Sequence, residues 1–260
     1  MKKWRLIIDK EPQIGARNMA IDEYLVNSLK EGETVLRFYT WLKPTASLGY
    51  GQKIEKVLDL EACRRLGIDV VRRPTGGKLV LHYKEVTYSV CSSDCEIFTE
   101  TLEGSYKKIS QALIAGLKFL GVEAELSTSI ESAYARSFLP CFAFPARHEI
   151  VVNNRKVIGS AQRRWGHRFL QHGSIALQPH DHWLRQITPI QNLDLSLKMI
   201  SLEEVLGRPV DPKEVIAPLT EGFRQFFQVD FENKPLSQNE LEQILIIEKN
   251  RYSHPSWTFF

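Results

Sequence analysis

Long apolar runs are missing from this chain. Nothing in its 260 residues approaches the roughly 20 consecutive apolar side chains that a membrane-spanning helix requires. The opening nine residues are a charged group and a short apolar run. That run is too short for the core of a signal peptide, and acidic residues follow at once. A cytoplasmic chain with no membrane partner is the expectation. Charge of one sign is also scarce. A net +3 at pH 7 does not identify a nucleic-acid binder, and none is expected, although it allows local basic faces. Arg72, Arg73 and Lys78 form one such group, and Arg163, Arg164 and Arg168 another.

Cysteine is sparse. Cys63, Cys91, Cys95 and Cys141 are four thiols in a chain large enough to fold without disulfides, which a reducing compartment disfavours. No second close Cys or His pair accompanies Cys91 and Cys95 at zinc-site spacing, so no metal is expected. Also absent are internal repeats, low-complexity tracts, the Gly-Lys-Ser/Thr ending of a Walker A loop, and a G-x-G-x-x-G run opening a helix.

What remains is ordinary globular composition, 43% hydrophobic and 25% charged, with length enough for a real core. Helical spacing runs through residues 18–29 and most clearly through 105–120, where Ile109, Leu113, Leu117 and Leu120 share a face and Gly121 ends it. Residues 59–66 read as a short helix capped by Asp59, with Cys63 a buried structural thiol. Strands are expected at 35–39, 70–73, 86–91 and 171–177. Residues 149–152 and 156–158 flank Asn153-Asn154 as a hairpin. Residues 123–139 read as a loop. Residues 202–252 alternate helical patterns with a strand-like 228–231. The sum is an α+β fold: a mixed or antiparallel sheet flanked by helices, then a short, mostly helical C-terminal segment.

Three segments could carry chemistry. In Arg72-Arg73-Pro74-Thr75-Gly76-Gly77-Lys78, glycines expose backbone amides and three cations surround the turn; a structural hairpin would look the same. His82 follows, either a catalyst or a core histidine. Cys141 sits in a loop between Pro140 and Pro145, where a thiol is either a nucleophile helped by a nearby base or cation, or simply buried. Lys156 falls on a strand among apolar neighbours, ahead of Gly159-Ser160. A lysine there must be paired or used, unless it faces solvent.

In this order the segments resemble the lipoate-protein ligase and octanoyltransferase family. Arg72 to His82 resembles its Gly-Gly substrate loop, and Lys156-Val157-Ile158-Gly159-Ser160-Ala161-Gln162 its lysine motif. Asn18-Met19-Ala20-Ile21-Asp22 and Leu36 to Trp41 resemble its opening segments. Within the family, Pro140-Cys141-Phe142 and a basic Lys78 after Gly-Gly resemble the cysteine-dependent octanoyltransferases of Gram-positive type. ATP-dependent ligases usually carry a third glycine at that point. Tyr83 departs from the polar residue common after the histidine.

The resemblance implies a biotin/lipoate protein ligase-like fold, with residues 1–200 as catalytic domain and 201–260 as a helical segment packed on it. It implies Cys141 as nucleophile and Lys156 as its partner. Arg72, Arg73, Gly76, Gly77, Lys78, His82, Gly159 and Ser160 would bind substrate, the two arginines and Lys78 meeting the phosphopantetheine arm or the acidic carrier surface. The implied donor is octanoyl-acyl carrier protein. The implied acceptor is an apo lipoyl-domain protein such as glycine cleavage H protein or a 2-oxoacid dehydrogenase E2. No separate cofactor is implied, since the donor carries its own phosphopantetheine. An amidotransferase between lipoyl domains and an ATP-dependent lipoate ligase are the alternatives.

Overall fold

The computed structural model describes residues 1–98, 101–127, 149–179, 181–189 and 198–260. Among these the chain builds a mixed sheet of eight strands: β1 (Lys3–Ile8), β2 (Thr34–Tyr39), β6 (Glu85–Ser92), β7 (Glu125–Leu126), β8 (Ile150–Val152), β9 (Arg155–Trp165), β10 (Arg168–Ala176) and β11 (Asp230–Asn233). Their spatial order is β11-β1-β2-β6-β10-β9-β8-β7. β1 runs parallel to β2 and β11, and the pairs from β2 to β7 are antiparallel. A smaller three-stranded sheet joins β3 (Thr45–Leu48) to β4 (Asp69–Arg72) and β5 (Val80–His82).

Consecutive strand residues point to opposite faces, and both faces are apolar. Leu6, Leu36, Val90 and Phe169 pack under α3 (Leu102–Phe119) and α6 (Pro212–Phe227). Their neighbours Ile7, Val35, Cys91 and Leu170 pack under α1 (Gly15–Ser28). The small sheet has its own core against α2 (Leu60–Leu66) and α4 (Asp181–Ile187). Asp59 caps α2 by accepting from the Ala62 amide, as its position implies.

Residues 201–260 contribute α5 (Leu202–Leu206), α6, α7 (Gln238–Ile247) and α8 (Pro255–Thr258). They also supply β11, which lengthens the main sheet beyond β1. α3 and α6 cross with almost no side chain between them. A Cβ on Gly222 would stand 2.2 Å from the Gly116 amide nitrogen, and one on Gly116 2.6 Å from the Leu219 Cα. The expected hairpin forms: Asn153 and Asn154 have φ of 50° and 59°, the left-handed pair that a two-residue turn demands. Within the stretch read as a loop, residues 125–126 form β7 instead, an edge strand on β8. Among the described residues no helix is long and apolar enough to cross a membrane.

The α3–α6 crossing gives a direct test. Gly222→Val forces the two backbones apart and should lower unfolding stability by about 2–3 kcal/mol. Chemical denaturation followed by circular dichroism would show a lower midpoint; an unchanged one would mean the helices separate at no cost.

Candidate active site

The strand ends bring separate parts of the chain around one cleft. It lies between the two sheets, and as the side chains stand its cavity is only about 30 Å³. Ser47 and His82 come from the small sheet, Gly159 and Ser160 from β9, and His172 and Ser174 from β10. Trp41 supplies a flat wall, stacked on the His82 ring at 3.8 Å between centroids and 9° between planes.

Behind the wall lie two chains of the same composition, carboxylate to histidine to hydroxyl. In one, Glu85 Oε1 is 2.7 Å from His82 Nδ1, and His82 Nε2 is 2.7 Å from Ser47 Oγ. In the other, Asp22 Oδ2 is 3.0 Å from His172 Nδ1, and His172 Nε2 is 2.7 Å from Thr75 Oγ1. The hydrogen bonds are satisfied with each Nδ1–H donating to its carboxylate and each Nε2 accepting from the hydroxyl. Glu85 also accepts from Thr87 at 2.6 Å and from Ser174.

These carboxylates are buried and still ionised. Burial raises both, but is outweighed. For Asp22 the His172 hydrogen bond and the Arg37 charge win; for Glu85 the adjoining His82 ring, with the Ser174 and Thr87 hydrogen bonds, wins. Both end below the usual carboxylate range. Burial pushes His172 below its ordinary 6.5, against the pull of Asp22.

The expected site residues divide. His82, Arg73, Gly159 and Ser160 line the cleft; Arg72, Gly76, Gly77, Lys78 and Lys156 are not among its lining. Gly76 and Gly77 are exposed at the tip of their loop and Lys78 is half-buried. Gly77 has φ +89°, and its carbonyl would lie 2.0 Å from a Cβ on Gly49, so these two loops touch backbone to backbone.

The expectation that Arg72 and Arg73 present charge to a carrier is corrected by their burial. Arg72 donates to the carbonyls of Gly49, Tyr50 and Gln52 through Nη1 and to those of Thr258 and Phe260 through Nη2. Arg73 donates to the carbonyls of Ser47, Gly76 and Lys78. Both guanidiniums bind the turns' backbone acceptors, so their charge shapes the loop from within.

Lys156 is wholly buried, with Nζ 2.5 Å from Glu149 Oε1. A β-bulge places it: Val151 pairs with Lys156 but Ile150 pairs with Ile158, so one extra residue turns the strand there. Residues 198–200 then cover the backbone, with the Lys156 amide donating to Lys198 O and Ile200 N to Lys156 O. The reading of Lys156 as paired holds, and the solvent-facing alternative falls. Beside it, Tyr88 bonds Ser160 Oγ at 2.7 Å; burial and the Glu149 charge push its hydroxyl up to about 12.

Cys141 lies outside the described residues. Among the described thiols, Cys63 and Cys91 are buried, with burial pushing Cys63 up to about 11 and Cys91 well above its ordinary value. Cys95 is exposed, but lies past the end of β6 that is remote from the cleft. Among the described residues no three His, Cys, Asp or Glu groups could hold a metal ion.

Asp22, Glu85, Ser47, Trp41 and His172 were not singled out from sequence as site residues. Asp22 and Trp41 do lie in the runs that carried the resemblance, and His172 lies in the strand expected at 171–177. Only the fold pairs Asp22 with a histidine 150 positions away.

The chain has the fold of lipoate-protein ligases. A lipoate-protein ligase A bound with ATP superposes with a TM-score of 0.86, 21% identity, and coverage of 100% of this chain and 99% of that one. The bi-partite lipoate protein ligase of Thermoplasma acidophilum gives 0.82 at 20% identity, covering 100% and 97%. The family model for the lipoyl protein ligase A/B catalytic domain matches residues 15–224, and the chain belongs to that family. It is similar to the octanoyltransferase LipM of Carboxydothermus hydrogenoformans, 37% identical over 100% of this chain and 99% of the relative. The octanoyltransferase LipM of Geobacillus kaustophilus is 36% identical over 98% of each chain.

The buried histidine sets a pH dependence. Unfolded His172 takes a proton near 6.5, whereas folded His172 resists it. Its contribution is therefore neutral above 6.5 and destabilising as the pH falls below, by up to about 1.4 kcal/mol per pH unit. The depressed Asp22 adds a loss of the same sign only at stronger acid. Denaturant titrations between pH 7.5 and 5 should show this slope in the wild type and a shallower one in His172→Gln. Equal slopes would assign the acid sensitivity elsewhere.

Proposed function

We propose that this protein is an ATP-independent octanoyltransferase of protein lipoylation. It takes the acyl group from octanoyl-acyl carrier protein and delivers it to a lysine of an apo lipoyl-domain protein, such as glycine cleavage H protein or a 2-oxoacid dehydrogenase E2. The observation that carries this reading is the end-to-end likeness to proteins named for octanoyl transfer. Lys78, where ligases usually carry a third glycine, supports it against the ATP-dependent alternative. A reducing cytoplasm suits a free thiol nucleophile.

Two acyl transfers complete the reaction. The Cys141 thiolate attacks the octanoyl thioester, and the carbonyl carbon passes from the carrier sulfur to Sγ. The carrier leaves as its thiolate and takes up a proton. A neutral lysine ε-amine of the acceptor then attacks the enzyme thioester. The amide forms, the amine loses a proton, and Cys141 is regenerated. No nucleotide enters the balance, because the thioester already carries the activation, and no cofactor is required.

Lys156 serves best as a fixed cation. Glu149 is the counter-ion that keeps a fully buried ammonium charged, and such a charge favours thiolate and oxyanion. Gly159 and Ser160, in the cleft wall, would line the acyl chain beside His82, with Gly76 and Gly77 at its mouth. The described thiols support Cys141 as nucleophile, since none combines an ionisable sulfur with the cleft.

Intact-mass analysis tests the first half. Mixed with octanoyl-carrier protein and no ATP, the wild type should gain one octanoyl group that hydroxylamine removes. Cys141→Ala should gain none, and Lys156→Ala should acylate at least about tenfold more slowly. Acylation of Cys141→Ala at the normal rate would refute the nucleophile. Pyrophosphate release from ATP with free lipoate would instead establish a ligase.

A further inference from the structure

With Arg72 and Arg73 turned inward, a different cation is left at the mouth of the cleft. Arg163 is on β9, two residues beyond Ala161, so both side chains leave the same face of the strand. Ala161 lines the cleft, and its Cβ lies 3.6 Å from where a Gly77 Cβ would be. The Arg163 guanidinium sits between two exposed rings, 4.8 Å from the Tyr50 centroid and 4.9 Å from that of Trp165. Nη1 donates to the Pro74 carbonyl at 2.8 Å, which ties it to the Gly76–Gly77 loop.

Its remaining N–H groups meet no protein acceptor among the described residues. The two rings fix the plane of the guanidinium and leave its edge for an anion. The other two arginines of this stretch are committed elsewhere. Arg164 is on the opposite face of β9, with Nη1 donating to Ser105, and Arg168 donates to the Asn27 carbonyl.

We propose that Arg163, clamped between Tyr50 and Trp165, is the subsite for the phosphate of the thioester donor's phosphopantetheine arm. The assignment rests on the octanoyl-transfer reading, in which an anionic arm and a lysine must both reach the cleft. Charge chooses between them. The acceptor lysine approaches as an ammonium, which a guanidinium repels, whereas a phosphodiester gains charge-assisted hydrogen bonds. Position agrees: strand rise puts Arg163 about 13 Å along β9 from Gly159, set back from the reacting end as a phosphate is set back from its thioester. The Pro74 bond makes one guanidinium join the donor arm to the substrate loop.

The experiment compares Arg163→Gln with the wild type on octanoyl-carrier protein, octanoyl-phosphopantetheine and octanoyl-pantetheine, the last lacking phosphate. Calorimetric binding of phosphopantetheine and pantetheine is measured alongside. The substitution should cut kcat/KM by about tenfold or more for both phosphate-bearing donors, the scale of one charge-assisted hydrogen bond. It should leave octanoyl-pantetheine and the KM for the lipoyl domain within about twofold, and abolish the binding preference for phosphopantetheine. An equal fall on all three donors would show that Arg163 acts only by holding Pro74. A raised acceptor KM alone would make the patch an acceptor surface, and no fall at all would dismiss it; each overturns the proposal. If the wild type transfers from none of the donors, the octanoyltransferase reading fails, while the binding comparison still decides the anion subsite.

Discussion

Asp22 is a carboxylate with no exposure to solvent, and side chains from three adjacent strands of the main sheet bond to it. Arg37 and Tyr39 come from β2, Ser89 from β6 and His172 from β10. Arg37 is buried as well and is balanced by Asp9 and the Asn18 side chain. Removing one partner would leave an uncompensated buried charge, which costs about 3–5 kcal/mol. The arrangement therefore fixes where α1 lies on the sheet. Through His172 and Thr75 it also sets the position of the Gly76–Gly77 loop. The cleft owes its shape to this polar cluster as much as to the apolar layers around it.

The second cluster repeats the device at the small sheet. Glu85 holds His82, His82 holds Ser47, and Arg73 donates to Ser47 Oγ at 3.0 Å while binding the carbonyls of its own loop. Arg72 does similar work outward, joining residues 49–52 to residues 257–260. The Gly76–Gly77 loop is thus pinned from two sides by buried cations bonded to backbone oxygen. Such preorganisation lets a site orient a substrate without first ordering itself.

Much of this was legible in the sequence, for local reasons. Helix spacing at Ile109, Leu113 and Leu117, the Asn153-Asn154 turn and the Asp59 cap each state their structure within a few residues. A paired Lys156 was one of two readings, because a lysine among apolar strand neighbours is paired or used unless it faces solvent. What stayed hidden depends on distant partners. Nothing near Arg72 announces that its acceptors are main-chain carbonyls, which leave no trace in residue identity. Asp22 and His172 meet only when α1 crosses β10. The Gly116–Gly222 approach requires the α3–α6 crossing, and β11 joins the sheet only by running beside β1. The Arg163 clamp needs Tyr50, more than a hundred residues earlier, to fold back against β9.

In the proposed reaction the enzyme itself carries the activated acyl group between donor and acceptor. The most direct check is a chase. Octanoylated enzyme is freed of carrier protein and mixed with an apo lipoyl domain in the absence of nucleotide, and both proteins are weighed over time. The octanoyl mass should leave the enzyme and appear on one lipoyl-domain lysine at a rate that accounts for turnover. An isolated acyl-enzyme that keeps its octanoyl group, or passes it on only when ATP is supplied, would contradict the account.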